Sequence, residues 1–121
     1  MNTEFIIDEY EMLKEYVGSE ARVVIPRGVS SIGAKSFAKN PYVRSVTVPG
    51  SVTRVEYGAF LGCDLLEEVV FEDGVREISY KALAAIPSLK RVFIPDSVNE
   101  ITYDCFEGSD NVEYNEKDGA K

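Results

Sequence analysis

The chain contains no histidine. That removes the commonest general base, the Ser–His and Cys–His pairs of nucleophilic catalysis, and the usual zinc ligand sets. No glycine-rich phosphate loop follows a strand-like segment. Apolar runs are short, none approaching the ~18 residues of a membrane span, so no membrane contact is expected. The opening residues, "MNTEFIIDEYEMLKEY", lack the basic start and long apolar stretch of a signal peptide. As given, the chain is expected in the cytoplasm unless a longer parent protein supplies an export signal. Positive charge is scarce as well: 13 Lys and Arg stand against 21 Asp and Glu, a net charge of −8. A nucleic-acid partner needs the opposite sign and is not expected.

What the chain does have is apolar material and a period. Hydrophobic residues make up 45% of 121 positions, enough for the core of one domain. Residues 46–63 read "VTVPGSVTRVEYGAFLGC" and residues 92–109 read "VFIPDSVNEITYDCFEGS". Residues 23–40 and 69–86 complete a set of four copies at a step of 23 with no gap. Six columns result. They are Val23/Val46/Val69/Val92, Ile25/Val48/Phe71/Ile94, Val29/Val52/Val75/Val98, Ile32/Val55/Ile78/Ile101, Phe37/Phe60/Leu83/Phe106 and Val43/Leu66/Leu89/Val112. A period of this length means a stacked solenoid, in which each turn buries its apolar side only against the turns above and below. Equivalent residues then lie ~4.8 Å apart where strands pair, and all six columns are expected to be buried.

The columns trace the path of one turn. Val43, Val46 and Val48 are spaced like an inward-facing strand with a lead-in. Pro26, Pro49 and Pro95 lack an N–H and end the pairing, and Gly or Ser at 28, 51, 74 and 97 suits a bend. Val52 and Val55 return to the core through a short second extended piece. "EYGAF" and its equivalents are expected to make about one helical turn, with the small Ser36, Ala59, Ala82 and Cys105 beside the large Phe or Leu.

The motif "VxIPxxVxxIxxxAFxxC", clearest in residues 46–63, resembles the BspA-like class of leucine-rich repeat over about residues 20–112. The bend carries Gly or Ser where the commoner leucine-rich consensus has Asn, so no internal Asn ladder is expected. The third copy departs furthest, with Glu72 for Pro and Leu83 for Phe. The resemblance implies an α/β right-handed leucine-rich-repeat solenoid: a parallel sheet on one face, short helical turns opposite and an N-terminal hairpin cap. It implies surface proteins built for protein contact, with no catalysis and no cofactor.

Charge gathers at the ends: residues 1–20 carry net −5 and 96–121 net −6, around a middle of net +3. An open solenoid must cap its end rungs. Residues 5–17 are apolar but out of phase with the repeat, as a cap should be. They read as a hairpin, 5–7 against 13–16, or as a helix with Ile6, Tyr10, Leu13 and Val17 on one face and Gly18 as its stop. The residues leave both open; the likeness of "MLKEYVGSEARVVIP" to the family's lead-in strand favours the hairpin. The expected division is a cap over 1–20, a solenoid over 21–112 and an acidic tail over 113–121. At that end Val112 begins a fifth unit whose column partners would be the polar Asn115 and Lys117. The acidic ends serve solubility and oppose end-to-end stacking, which predicts a monomer; a binding role is their other reading.

Cys63 and Cys105 stand in different columns two repeats apart, about 10 Å along the axis by strand spacing, beyond disulfide reach. Both read as small core residues. Glu67 and Glu68 are adjacent on one strand and cannot oppose each other across a cleft as a glycosidase pair must. Arg44 and Lys90 share the column of Glu67, and Ser45 and Arg91 that of Glu68, so ladder pairing accounts for both acids. Tyr57, Tyr80 and Tyr103 form a further column, read as surface packing or as a grip for a ligand. Val24, Thr47, Val70 and Phe93 alternate outward between core positions, where polar residues are usual. With Arg22, Arg44, Lys90 and Arg91 around them they form an apolar stripe with a basic rim, as at an interface. Plain β-propensity at exposed positions is the competing account. The expectation is a non-catalytic macromolecule-binding module that meets a protein partner through Val24, Thr47, Val70, Phe93, Arg44, Lys90 and Arg91. The alternative is a structural repeat segment or spacer of a larger cell-surface protein.

Overall fold

A computed structural model describes residues 4–114 of the chain. Its eleven strands are β1 Phe5–Ile7, β2 Met12–Tyr16, β3 Arg22–Val24, β4 Ser31–Ile32, β5 Ser45–Val48, β6 Arg54–Val55, β7 Glu68–Phe71, β8 Glu77–Ile78, β9 Arg91–Phe93, β10 Glu100–Ile101 and β11 Glu113–Tyr114. They form two sheets, ordered β3-β5-β7-β9-β11 and β1-β2-β4-β6-β8-β10. Every pairing is parallel except the β1–β2 hairpin at the N-terminal end. Each turn of the solenoid therefore supplies one strand to each sheet, and the core lies between them. Val23, Val46, Val69 and Val92 pair in sequence across β3, β5, β7 and β9, as the period requires.

The columns are buried through the first three turns. In the last, Ile101 is 37% exposed, and Phe106 and Val112 are only partly buried. The reason is the repeat logic itself: no described rung lies beyond them to complete their side of the core. Among the described residues Thr102 Oγ1 and Asp104 Oδ1, on the same rung, are buried without a hydrogen-bond partner. The acidic tail opens with the two-residue strand β11. Glu113 pairs with Arg91 and Tyr114 with Val92, an offset of 22 where the earlier pairs of the same sheet keep 23. That one-residue slip aligns Tyr114, not polar Asn115, with the Val92 column; the rest of the tail lies outside the described residues.

The short helical turns are not there: no described residue is helical. Hydrogen bonding shows why. Lys35, Phe37 and Lys39 donate their backbone N–H groups to the carbonyls of Tyr57, Ala59 and Leu61 one rung on. Between them, Ser36, Ala38 and Asn40 donate three residues back within their own turn, to Gly33, Lys35 and Phe37. Gly58, Phe60 and Gly62 repeat the reach to Tyr80, Ala82 and Ala84. Alternate N–H groups must thus point along the solenoid axis, which an α-helix, with every N–H aimed four residues back, does not allow. The geometry requires left-handed backbone at Lys35 (φ 59°), Lys39 (61°), Lys81 (55°) and Ala85 (58°). Each costs a non-glycine residue about 1–2 kcal/mol, which the inter-rung bonds offset.

Two further ladders tie the rungs. Rings of Phe5, Tyr16, Phe37 and Phe60 follow one another at centroid distances of 5.0, 5.0 and 4.9 Å. The hairpin thus plugs the N-terminal end with aromatics, Tyr16 lying directly on Phe37. At the bends, Ser51 Oγ accepts from the Gly28 N–H (3.2 Å) and donates to the Val29 carbonyl (2.9 Å). Ser97 does the same for Gly74 and Val75, at 2.8 and 2.7 Å. The third copy, which lacks proline, uses the N–H it retains: Glu72 donates to the Val48 carbonyl at 2.9 Å.

Candidate functional site

Alternation along β3, β5, β7 and β9 turns Val23, Val46, Val69 and Val92 inward and sends their neighbours out. Val24 is 64% and Phe93 50% exposed, whereas Thr47 and Val70 are half-buried, hemmed in by the strands on both sides. The outward stripe exists, and its apolar surface lies mainly at its two ends.

Beside the stripe the same face holds a shallow groove of about 570 Å³. Val24, Thr47, Ala21 and Ser45 line it together with the cations of Arg22, Arg44, Lys90 and Arg91 and the carboxylates of Glu67 and Glu68. Arg44 Nη1 meets Glu67 Oε2 at 3.2 Å, and Arg91 Nε meets Glu68 Oε2 at 3.7 Å. The ladder pairing that the columns implied thus forms on both acids. Lys90 shares the column but makes no ion pair among the described residues, and neither does Arg22. Four cations and two carboxylates leave the groove at +2 on a chain of −8. Of the residues that sequence reasoning singled out, the groove gathers Val24, Thr47, Arg44, Lys90 and Arg91; Val70 and Phe93 do not line it. Ala21 and the column residue Ser45, neither of which the sequence marked as a site residue, also line it.

The tyrosine column is only partly stacked. Tyr57 and Tyr80 lie face to face at 5.3 Å and 24°, with the Lys35 and Lys81 ammonium groups each 5.5 Å from a ring centre. Tyr103 is fully exposed. The second sheet carries its own outward charge ladder, in which Arg54 bridges Glu77 (3.1 Å) and Glu56 (3.6 Å), and these carboxylates raise the guanidinium pKa. Among the described residues no group of three or more acidic, Cys or His side chains could hold a metal ion, and no helix is long and apolar enough to cross a membrane.

Both cysteines are free and buried. The Cys63 Sγ donates to the Phe37 carbonyl at 3.1 Å, and burial pushes both thiols up to about 12 from the ordinary 9.0. At pH 8 a thiol reagent should label the native protein at least a hundredfold more slowly than the urea-unfolded chain, because thiolate is scarce and shielded. Because the folded pKa is the higher one, the thiols' contribution to stability is complete below about pH 9 and is lost as pH rises towards 12. Rapid native labelling of Cys63 would reopen a chemical role for it.

Residues 15–115 match the model described as BspA type leucine-rich repeat region (6 copies). The chain belongs to the BspA-type leucine-rich repeat family. No curated protein matches it significantly. A leucine-rich repeat protein from Bacteroides capillosus has a similar structure, with 26% identity over 93% of both chains and a TM-score of 0.78. A leucine-rich cell surface protein from Faecalibacterium prausnitzii is also 26% identical, with a TM-score of 0.60; the match covers 91% of this chain and 36% of that one. The T. pallidum leucine-rich repeat protein shares the fold at 23% identity and a TM-score of 0.69, over 97% of this chain and 70% of its own. BspA-type and other leucine-rich repeats are generally non-catalytic modules that bind proteins or serve as structural repeats.

Proposed function

We propose that this BspA-type repeat is a non-catalytic binding module that docks a protein partner on the outward face of the β3-β5-β7-β9 sheet. The observation that carries the reading is the conjunction on that face of exposed apolar side chains, Val24 and Phe93, with a cationic groove on an otherwise acidic molecule. Exposed aromatic anchors concentrate interface energy, often 2 kcal/mol or more on truncation, while rim charges such as Arg44, Lys90 and Arg91 set encounter rate and salt dependence. The test is paired on Phe93→Asp: thermal melting, and affinity capture from the source cells. Partner recovery should drop by at least tenfold with the melt unchanged, since Phe93 is half exposed. Capture that survives the substitution moves the site off this end of the stripe, and a collapsed melt means that Phe93 packs more than it docks.

A second reading, a structural segment of a longer surface protein, is supported by the match to only 36% of the F. prausnitzii cell surface protein. In that reading no partner is lost from the Phe93→Asp variant because none was held. The same comparison supports a cell-surface setting.

A further inference from the structure

The charge balance of the groove carries the reading further, to the chemistry of the guest. We propose that the groove across β3 to β9 holds an extended acidic peptide segment of the partner, with two carboxylates about four residues apart engaging Arg22 and Lys90. This rests on the sheet face being the docking surface.

Arg44 and Arg91 are each committed to a glutamate on the next strand, whereas Arg22 and Lys90 line the same groove without an ion pair among the described residues. The groove therefore has two unspent cations at its opposite ends. Arg22 lies on β3, and Lys90 leads into β9, three strand steps away in the order β3-β5-β7-β9. At ~4.8 Å per step the two are about 14 Å apart across the sheet. An extended peptide advances ~3.3–3.4 Å per residue, so four residues bridge that distance. Between the ends, the guanidiniums of Arg44 and Arg91 each keep N–H donors beyond the one that faces its glutamate, and these suit the backbone carbonyls of a peptide crossing over them. The 64% exposed Val24 beside Arg22 favours an apolar side chain next to the first carboxylate. An acidic polysaccharide would satisfy the cations but not Val24, which is why a peptide is preferred. The repulsive element is built in: Glu67 and Glu68 line the groove between its ends and disfavour a guest whose carboxylates are placed there.

The test is fluorescence anisotropy with three labelled peptides of equal length. One has glutamates four residues apart around a Val-Thr-Val centre, one has them adjacent, and one has lysines in their place; an oligogalacturonate is the fourth probe. The spaced-glutamate peptide should bind best, and its affinity should fall with salt. The R22Q/K90Q double variant should weaken it about tenfold, as expected for two exposed charge pairs, with an unchanged melt. E67Q/E68Q should tighten it several-fold by freeing Arg44 and Arg91. No binding, equal binding of the adjacent-glutamate or lysine peptide, indifference to R22Q/K90Q, or tighter binding of the oligogalacturonate would each overturn the acidic-peptide assignment. The outcomes separate the two readings. Peptides that fail while partner capture still depends on Phe93 leave the docking face standing and remove its acidic guest. Failure of both removes the face itself.

Discussion

Phe60→Ala should cost about 3–5 kcal/mol of stability, the usual range for truncating a fully buried aromatic. Phe60 has no solvent exposure and sits mid-solenoid. Its ring lies on Phe37 at 4.9 Å, and in the next turn Leu83 occupies the same column. Collapse into the void is restricted, because the backbones on either side are held by hydrogen bonds from Phe37 to Ala59 and from Phe60 to Ala82. The loss includes the ring-on-ring contact as well as buried area. In urea the unfolding midpoint should drop by about 2 M. Phe60→Leu should be far milder, since Leu83 already shows that the column accepts leucine. Equal effects of the two substitutions would mean that the ladder does not depend on ring volume at this position.

The second large effect is expected at a bend. Gly74→Ala should cost about 3 kcal/mol, from two sources that a companion variant separates. Gly74 has φ +122°, a conformation that strains any side-chain-bearing residue by about 1–3 kcal/mol. Its backbone also lies against the backbone of Gly50 one turn earlier, and a Cβ there would run into the Gly50 carbonyl. Gly28 occupies the same column with φ +102° and open space around it. Gly28→Ala therefore reports the conformational cost alone. Urea melts of the two variants should differ by 1 kcal/mol or more, with Gly74→Ala the worse. Equal costs would show that the bends of the second and third turns do not approach as closely as the structure has them.

The period and its columns were legible in the sequence because a stacked turn repeats its burial demand at each rung, and four copies of one demand leave six apolar columns. The reading went wrong where local propensity and inter-rung hydrogen bonding disagree. Segments such as "EYGAF" contain good helix formers, yet the backbone there must turn left-handed at every fourth position to send N–H groups along the axis. The glycines at 58, 62 and 108 mark those positions in some copies. Lys35, Lys39, Lys81 and Ala85 conceal them in others. The half-exposed Ile101 was missed for a different reason: a column predicts burial only where a neighbouring rung exists on both sides. At the site, alternation along the strands assigned the outward residues. The columns implied the ladder pairs on Glu67 and Glu68, but they do not encode that Arg44 rather than Lys90 takes Glu67. Lys90 and Arg91 are neighbours in sequence, yet only Arg91 spends its charge on a glutamate.

The constant offset between paired strands has a consequence for how such a molecule can change in length. Val23, Val46, Val69 and Val92 are bound in one register, and so are Ile32, Val55 and Ile78 on the other sheet. One residue inserted inside a strand turns inward-facing side chains outward, and the mismatch falls on both sheets at once. Adding or removing 23 residues leaves every contact type in place. The size of the molecule is in that sense quantised, and a single inserted residue should be tolerated best at exposed corners such as Asp64 and Leu65. The one-residue slip at Tyr114 falls on the last described rung.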